Sequence, residues 1–77
     1  MTLSVQSAPA KPAFARWLLG QIDRTDEIGT LAKAAKADAA FPKEGDVLAV
    51  SKRLNAVQAD SDMHEALEQA ELDYYAY

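Results

Sequence analysis

Apolar residues recur along this chain at intervals of three and four, the spacing of one face of an α-helix. The first run opens at Pro12, which suits a first helical turn because the amide it lacks has no partner there. Phe14, Trp17, Leu18 and Ile22 follow at i, i+3, i+4 and i+8. Gly20 lies inside this run and either weakens the helix or marks the close approach of another. The segment Asp23-Arg24-Thr25-Asp26 interrupts the pattern, and Thr25 or Asp26 is placed to cap the next helix. That second helix is predicted from Asp26 to Ala39, with Ile28, Leu31, Ala32 and Ala35 as its stripe and Lys33 and Lys36 opposite. Gly29 in its first turn points to tight packing or a sharp entry. Phe41-Pro42 ends the element, because a residue before proline is driven out of helical geometry.

Lys43-Glu44-Gly45-Asp46 reads as a turn with Asp46 as a cap. A third helix is predicted from Val47 to Ala59, apolar at Val47, Val50, Leu54 and Val57, with Lys52 and Arg53 on its exposed side. Asp60-Ser61-Asp62 is a further capping cluster. With Asp62 as the cap, Glu65 takes the third helical position of a carboxylate capping box. The fourth helix then runs from Met63 towards Ala76, with Met63, Leu67, Ala70 and Tyr74 inward and Leu72 and Tyr75 off that stripe. No segment alternates with a period of two, so no sheet is expected. The organisation expected is a flexible arm over residues 1–11 and one helical domain over 12–77.

Composition narrows the class. With 77 residues, one core is all the chain can support. An apolar share of 49% excludes a disordered acidic tail, although much of it is alanine. The chain has no cysteine, which removes disulfides, thiolate metal sites and a cysteine nucleophile together. Neither a membrane span nor an export signal is evident, so no membrane contact is expected and the cytoplasm is the default compartment. The net charge of -4 is unevenly placed. Residues 60–77 carry six carboxylates and no lysine or arginine, whereas the rest holds all eight basic residues. A solvated helix face explains this run most simply; a surface that attracts a basic partner is the sharper reading.

Catalysis requires convergent polar groups, and the sequence offers none. His64 is the only histidine and reads as an ordinary surface residue. The serines lack a positioned base, and Gly20, Gly29 and Gly45 are too far apart to cradle a phosphate. No cofactor or metal site is expected, and the chain is not read as an enzyme. Two binding surfaces remain. Glu68, Glu71, Tyr75 and Tyr77 would present an acidic, aromatic contact for a protein partner or a second copy, with Tyr75 and Tyr77 either exposed or closed over the first helix. Lys33, Lys36, Lys43, Lys52 and Arg53 would instead meet the phosphates of a nucleic acid, a reading that the overall negative charge opposes.

The string Phe14-x-x-Trp17-Leu18-x-x-Gln21-x-x-Arg24-x-Asp26-x-Ile28-Gly29-x-Leu31-Ala32, followed by Asp38-x-x-Phe41-Pro42, resembles the small bacterial YozE-like proteins over about residues 14–42. The resemblance implies an all-α, compact bundle of four or five short helices similar to the sterile alpha motif. Trp17, Leu18, Ile28, Leu31 and Phe41 would form its core. Arg24 and Asp26 would fix the first turn, and Asp38 would tie a helix end to the next turn. It implies no catalytic residues. Sterile alpha motif domains bind proteins, themselves or sometimes RNA, so the expected role is a non-enzymatic interaction module.

Overall fold

A computed structural model describes residues 11–77. It contains four helices: α1 (Phe14–Leu19), α2 (Glu27–Ala37), α3 (Val47–Ala56) and α4 (Ser61–Ala76). No strand occurs among the described residues. The all-α class and the four-helix count expected from periodicity are therefore observed. The expected arm lies, except for Lys11, outside the described residues.

α4 is the hub, packing on α2 most extensively and also on α1 and α3. Alanine makes this possible. Ala32 and Ala35 of α2 and Ala66 and Ala70 of α4 are buried, and such small side chains let helix axes approach closely. The larger core side chains are Phe14, Leu18, Ile28, Leu31, Phe41, Val50, Leu54 and Leu67. Trp17 is only half-buried and packs against this core from one side. Phe41 turns inward beneath the loop after α2, as its place before Pro42 suggested.

Three aspartates cap three helices. Asp26 accepts from the Gly29 amide at 3.1 Å, Asp46 from Ala49 at 2.9 Å and Asp60 from Met63 at 3.1 Å. α1 has no side-chain cap, and the Ala15 amide donates instead to the Gly45 carbonyl at 3.0 Å. Both inner glycines are sterically required. A Cβ on Gly29 would lie 2.0 Å from the Arg24 carbonyl oxygen, and one on Gly45 would lie 2.7 Å from the Ala49 Cβ.

The helix ends correct the sequence reading at several points. α1 stops at Leu19, because Gly20 and Gln21 donate to Trp17 and Leu18 in three-residue turns; Ile22 is left half-buried. α2 stops at Ala37 rather than Ala39. The Asp38 carboxylate accepts from the Ala40 amide, which competes with helical bonding. α3 stops at Ala56 rather than Ala59, in a Schellman motif. Gln58 donates to Asn55 and Ala59 donates to Leu54, with Gln58 at φ 57°. This leaves Val57 on the surface, 48% exposed, instead of on the buried stripe. α4 starts earlier than expected, at Ser61. Asp60 is its cap, so the box between Asp62 and Glu65 does not form, and Asp62 lies in the first turn where the helix dipole favours it.

Candidate functional site

Helical spacing puts Glu68, Glu71 and Tyr75 on one outer strip of α4, at intervals of three and four. Glu68 is exposed and Glu71 half-exposed. The strip ends in an aromatic cluster. Tyr74 is half-buried, its ring edge-on to Phe14 at 5.4 Å and to Trp17 at 5.6 Å. Its hydroxyl donates to the Pro12 carbonyl at 2.6 Å, fastening the entry of α1 to the end of α4. Tyr77 stacks on Trp17 at 6.3 Å, but it remains 63% exposed and Tyr75 66%. Leu72 is exposed to a similar degree. The terminal tyrosines thus border the first helix without being buried by it.

Lys11 completes this end of the molecule. Its ammonium lies 4.3 Å from the Tyr74 ring centre, 4.9 Å from Tyr77 and 5.7 Å from Tyr75. A cation over an exposed ring gains about 0.5–1 kcal/mol, so this contact is easily displaced. The sequence reading missed Lys11; only its place beside Pro12 and the clustered tyrosines hinted at it.

Arg24 braces the same end from below. It contacts Asp26 at 2.7 Å and Asp73 at 2.9 Å, linking the loop before α2 to α4. The hydrogen bond from Arg24 is the main reason that the Asp26 carboxyl titrates below the usual aspartate range. Arg24 and Asp26 therefore do fix the first turn, and Asp73 is engaged rather than available.

The basic residues are less unified. Lys33 and Lys36 are exposed on α2, Lys43 in the turn before α3, and Lys52 on α3. Lys36 and Lys43 border one shallow depression beside Leu19 and Ala35. Arg53 does not join them, against expectation. It is half-buried and forms a two-pronged pair with Asp38, Nε and Nη2 each donating at 2.8 Å. Arg53 holds the Asp38 carboxyl below the ordinary aspartate value, with help from the Ala40 amide, and Asp38 in turn raises Arg53. Geometry explains the correction: Asp38 is held in place by its own turn and offers a planar carboxylate that the guanidinium matches.

Behind this pair runs an apolar groove of about 380 Å³ between the ends of α2 and α3 and the start of α4. Leu31, Phe41, Leu54 and Met63 line it, and Val57 lies at its edge. Periodicity gave no sign of it, because it depends on where α3 stops. Among the described residues, no group of three or more His, Cys, Asp or Glu side chains is arranged to hold a metal ion. No helix there is long and apolar enough to cross a membrane.

No curated protein and no solved structure matches the chain. A family model does, that of the YozE SAM-like fold, over residues 13–76. The match takes in α3 and the aspartate-capped α4 with Tyr74 and Tyr75, as well as the segment up to Phe41-Pro42. The likeness first seen over residues 14–42 therefore extends through all four helices, and the chain belongs to the YozE SAM-like fold family.

Proposed function

We propose that this chain is a non-enzymatic interaction module that binds a protein partner or a second copy of itself through the outer strip of α4. Its contact residues are Glu68, Glu71, Tyr75 and Tyr77, and we take the cytoplasm as its compartment. One observation carries the reading: Tyr75 and Tyr77 are about two-thirds exposed, each packed against Tyr74, at the end of an acidic helix. Tyrosine buries a large area on binding at small entropic cost, which makes it a common interface anchor. The neighbouring Leu72, also exposed, adds apolar area to the same end.

The rival reading is nucleic-acid binding by Lys33, Lys36, Lys43, Lys52 and Arg53. The depression shared by Lys36 and Lys43 favours it. The engagement of Arg53 with Asp38 weakens it. The test is affinity capture from the source cells beside a salt-dependent gel shift. Capture of a partner, or concentration-dependent self-association, is expected to be lost in the Tyr75→Ser/Tyr77→Ser variant and kept in Lys36→Glu/Lys43→Glu. Binding to DNA or RNA that falls steeply with salt and disappears in Lys36→Glu/Lys43→Glu would overturn the proposal.

A further inference from the structure

An aromatic ring carries a negative face, and several faces turned to one point bind an alkylammonium group. Tyr74, Tyr75 and Tyr77 do this around the Lys11 ammonium, at 4.3, 5.7 and 4.9 Å from their ring centres. Among the described residues, Lys11 makes no ion pair with a carboxylate, and the rings are what engages its charge there. Its side chain is exposed, whereas the carbonyl of Pro12 next to it is fixed by the Tyr74 hydroxyl. The Lys11 side chain can therefore swing away and vacate the rings while the backbone stays in place.

We propose that Tyr74, Tyr75 and Tyr77 form a lysine-binding cage, occupied in cis by Lys11, that accepts a lysine ammonium from a basic segment of a partner protein. This rests on the reading of the α4 strip as the working face and names the chemistry of its partner. The cis occupant shows which group the cage fits. Charge gives the direction of the incoming segment. Glu68 and Glu71 run along the strip up to Tyr75, on a helix that contains no lysine or arginine. A partner lysine entering the cage places neighbouring basic residues over these carboxylates, whose attraction is strongest at low salt. Lys11 then acts as a built-in competitor that sets a threshold for binding.

The test is an NMR titration of the whole chain at low salt with a twelve-residue alanine–proline–lysine repeat peptide and the same peptide with its lysines acetylated. Three variants accompany it: Lys11→Ala, Lys36→Ala as a charge-matched control, and Tyr75→Leu/Tyr77→Leu, which alters only exposed side chains. The lysine peptide is expected to shift resonances from Glu68 to Tyr77. It should bind about threefold or more tightly to Lys11→Ala than to Lys36→Ala, and to lose a similar factor in the leucine variant. Equal affinity of the two alanine variants overturns the cage. Equal response to the lysine and acetyl-lysine peptides overturns it too, while leaving the strip as the working face. A dimer of the parent chain that is lost in Lys11→Ala makes the occupant a second copy and overturns the partner assignment. Failure of both peptides to touch the strip overturns the cage, and the capture experiment still decides the broader reading by itself.

Discussion

Two single residues show how narrowly the backbone is specified. Gly29 lies in the first turn of α2 with the Arg24 carbonyl where a Cβ would stand, 2.0 Å away. The neighbour is backbone and cannot rotate aside. Gly29→Ala should cost about 3 kcal/mol from overpacking, the upper end of the usual range. Alanine's better helix propensity returns about 1 kcal/mol, so a net loss of about 2 kcal/mol is expected in urea unfolding. Gln58 is the opposite case. It occupies the left-handed region at φ 57° with a side chain that disfavours it. Gln58→Gly should relieve that cost and raise stability by about 0.5–1 kcal/mol after the entropy gained by the unfolded chain. A lowered urea midpoint would show that the Gln58 side chain holds the Schellman turn by contacts of its own. Sequence alone singled out Gly29 because glycine early in a helix is unusual. Gln58 gave no warning, since glutamine is an ordinary helix residue and only the chain direction after Leu54 forces its conformation.

At the scale of elements, helix faces were legible and helix ends were not. Ile28, Leu31, Ala32 and Ala35 are buried as their spacing required, and so are Leu67 and Ala70. The ends depended on competition between neighbouring polar groups. Asp60 and Asp62 are equally good caps by composition, and the path out of α3 selects Asp60. The Asp38–Arg53 pair lay beyond sequence reasoning for a related reason. Residues fifteen apart meet because the loop through Phe41 reverses the chain so that the last turn of α3 lies beside the end of α2. This pair gives the fold an acid-sensitive joint. The folded-state pKa of Asp38 is depressed, so its contribution is present above the ordinary aspartate value and is lost as pH falls through the lower folded value. Parent stability should therefore drop below about pH 4. Asp38→Asn should flatten that limb of a chemical-denaturation series against pH while lowering stability near neutrality. An unchanged acid limb would locate the sensitivity at Asp26, which is depressed in the same direction by Arg24.

For the whole molecule, the candidate surface was half visible in advance. Tyr75, Tyr77, Glu68 and Glu71 were recognisable because they fall off the buried stripe of the last helix. Lys11 was not, because a residue in a proline-flanked segment has no periodicity to place it. Of the five basic residues, Lys36 and Lys43 border a common depression, while Arg53 is paired with Asp38. The bond from the Ala15 amide to the Gly45 carbonyl has one further consequence, for how the protein is made. α1 is six residues long, too short to persist by itself in water, and its open end is closed by a group thirty positions downstream. Its other tie, from Tyr74 to Pro12, spans 62 positions. α1 is made before the three helices it packs on, so of these four it is the last that can settle. While the ribosome adds residues at about 5–20 per second, the aromatic face of α1 waits several seconds for Tyr74 to be made.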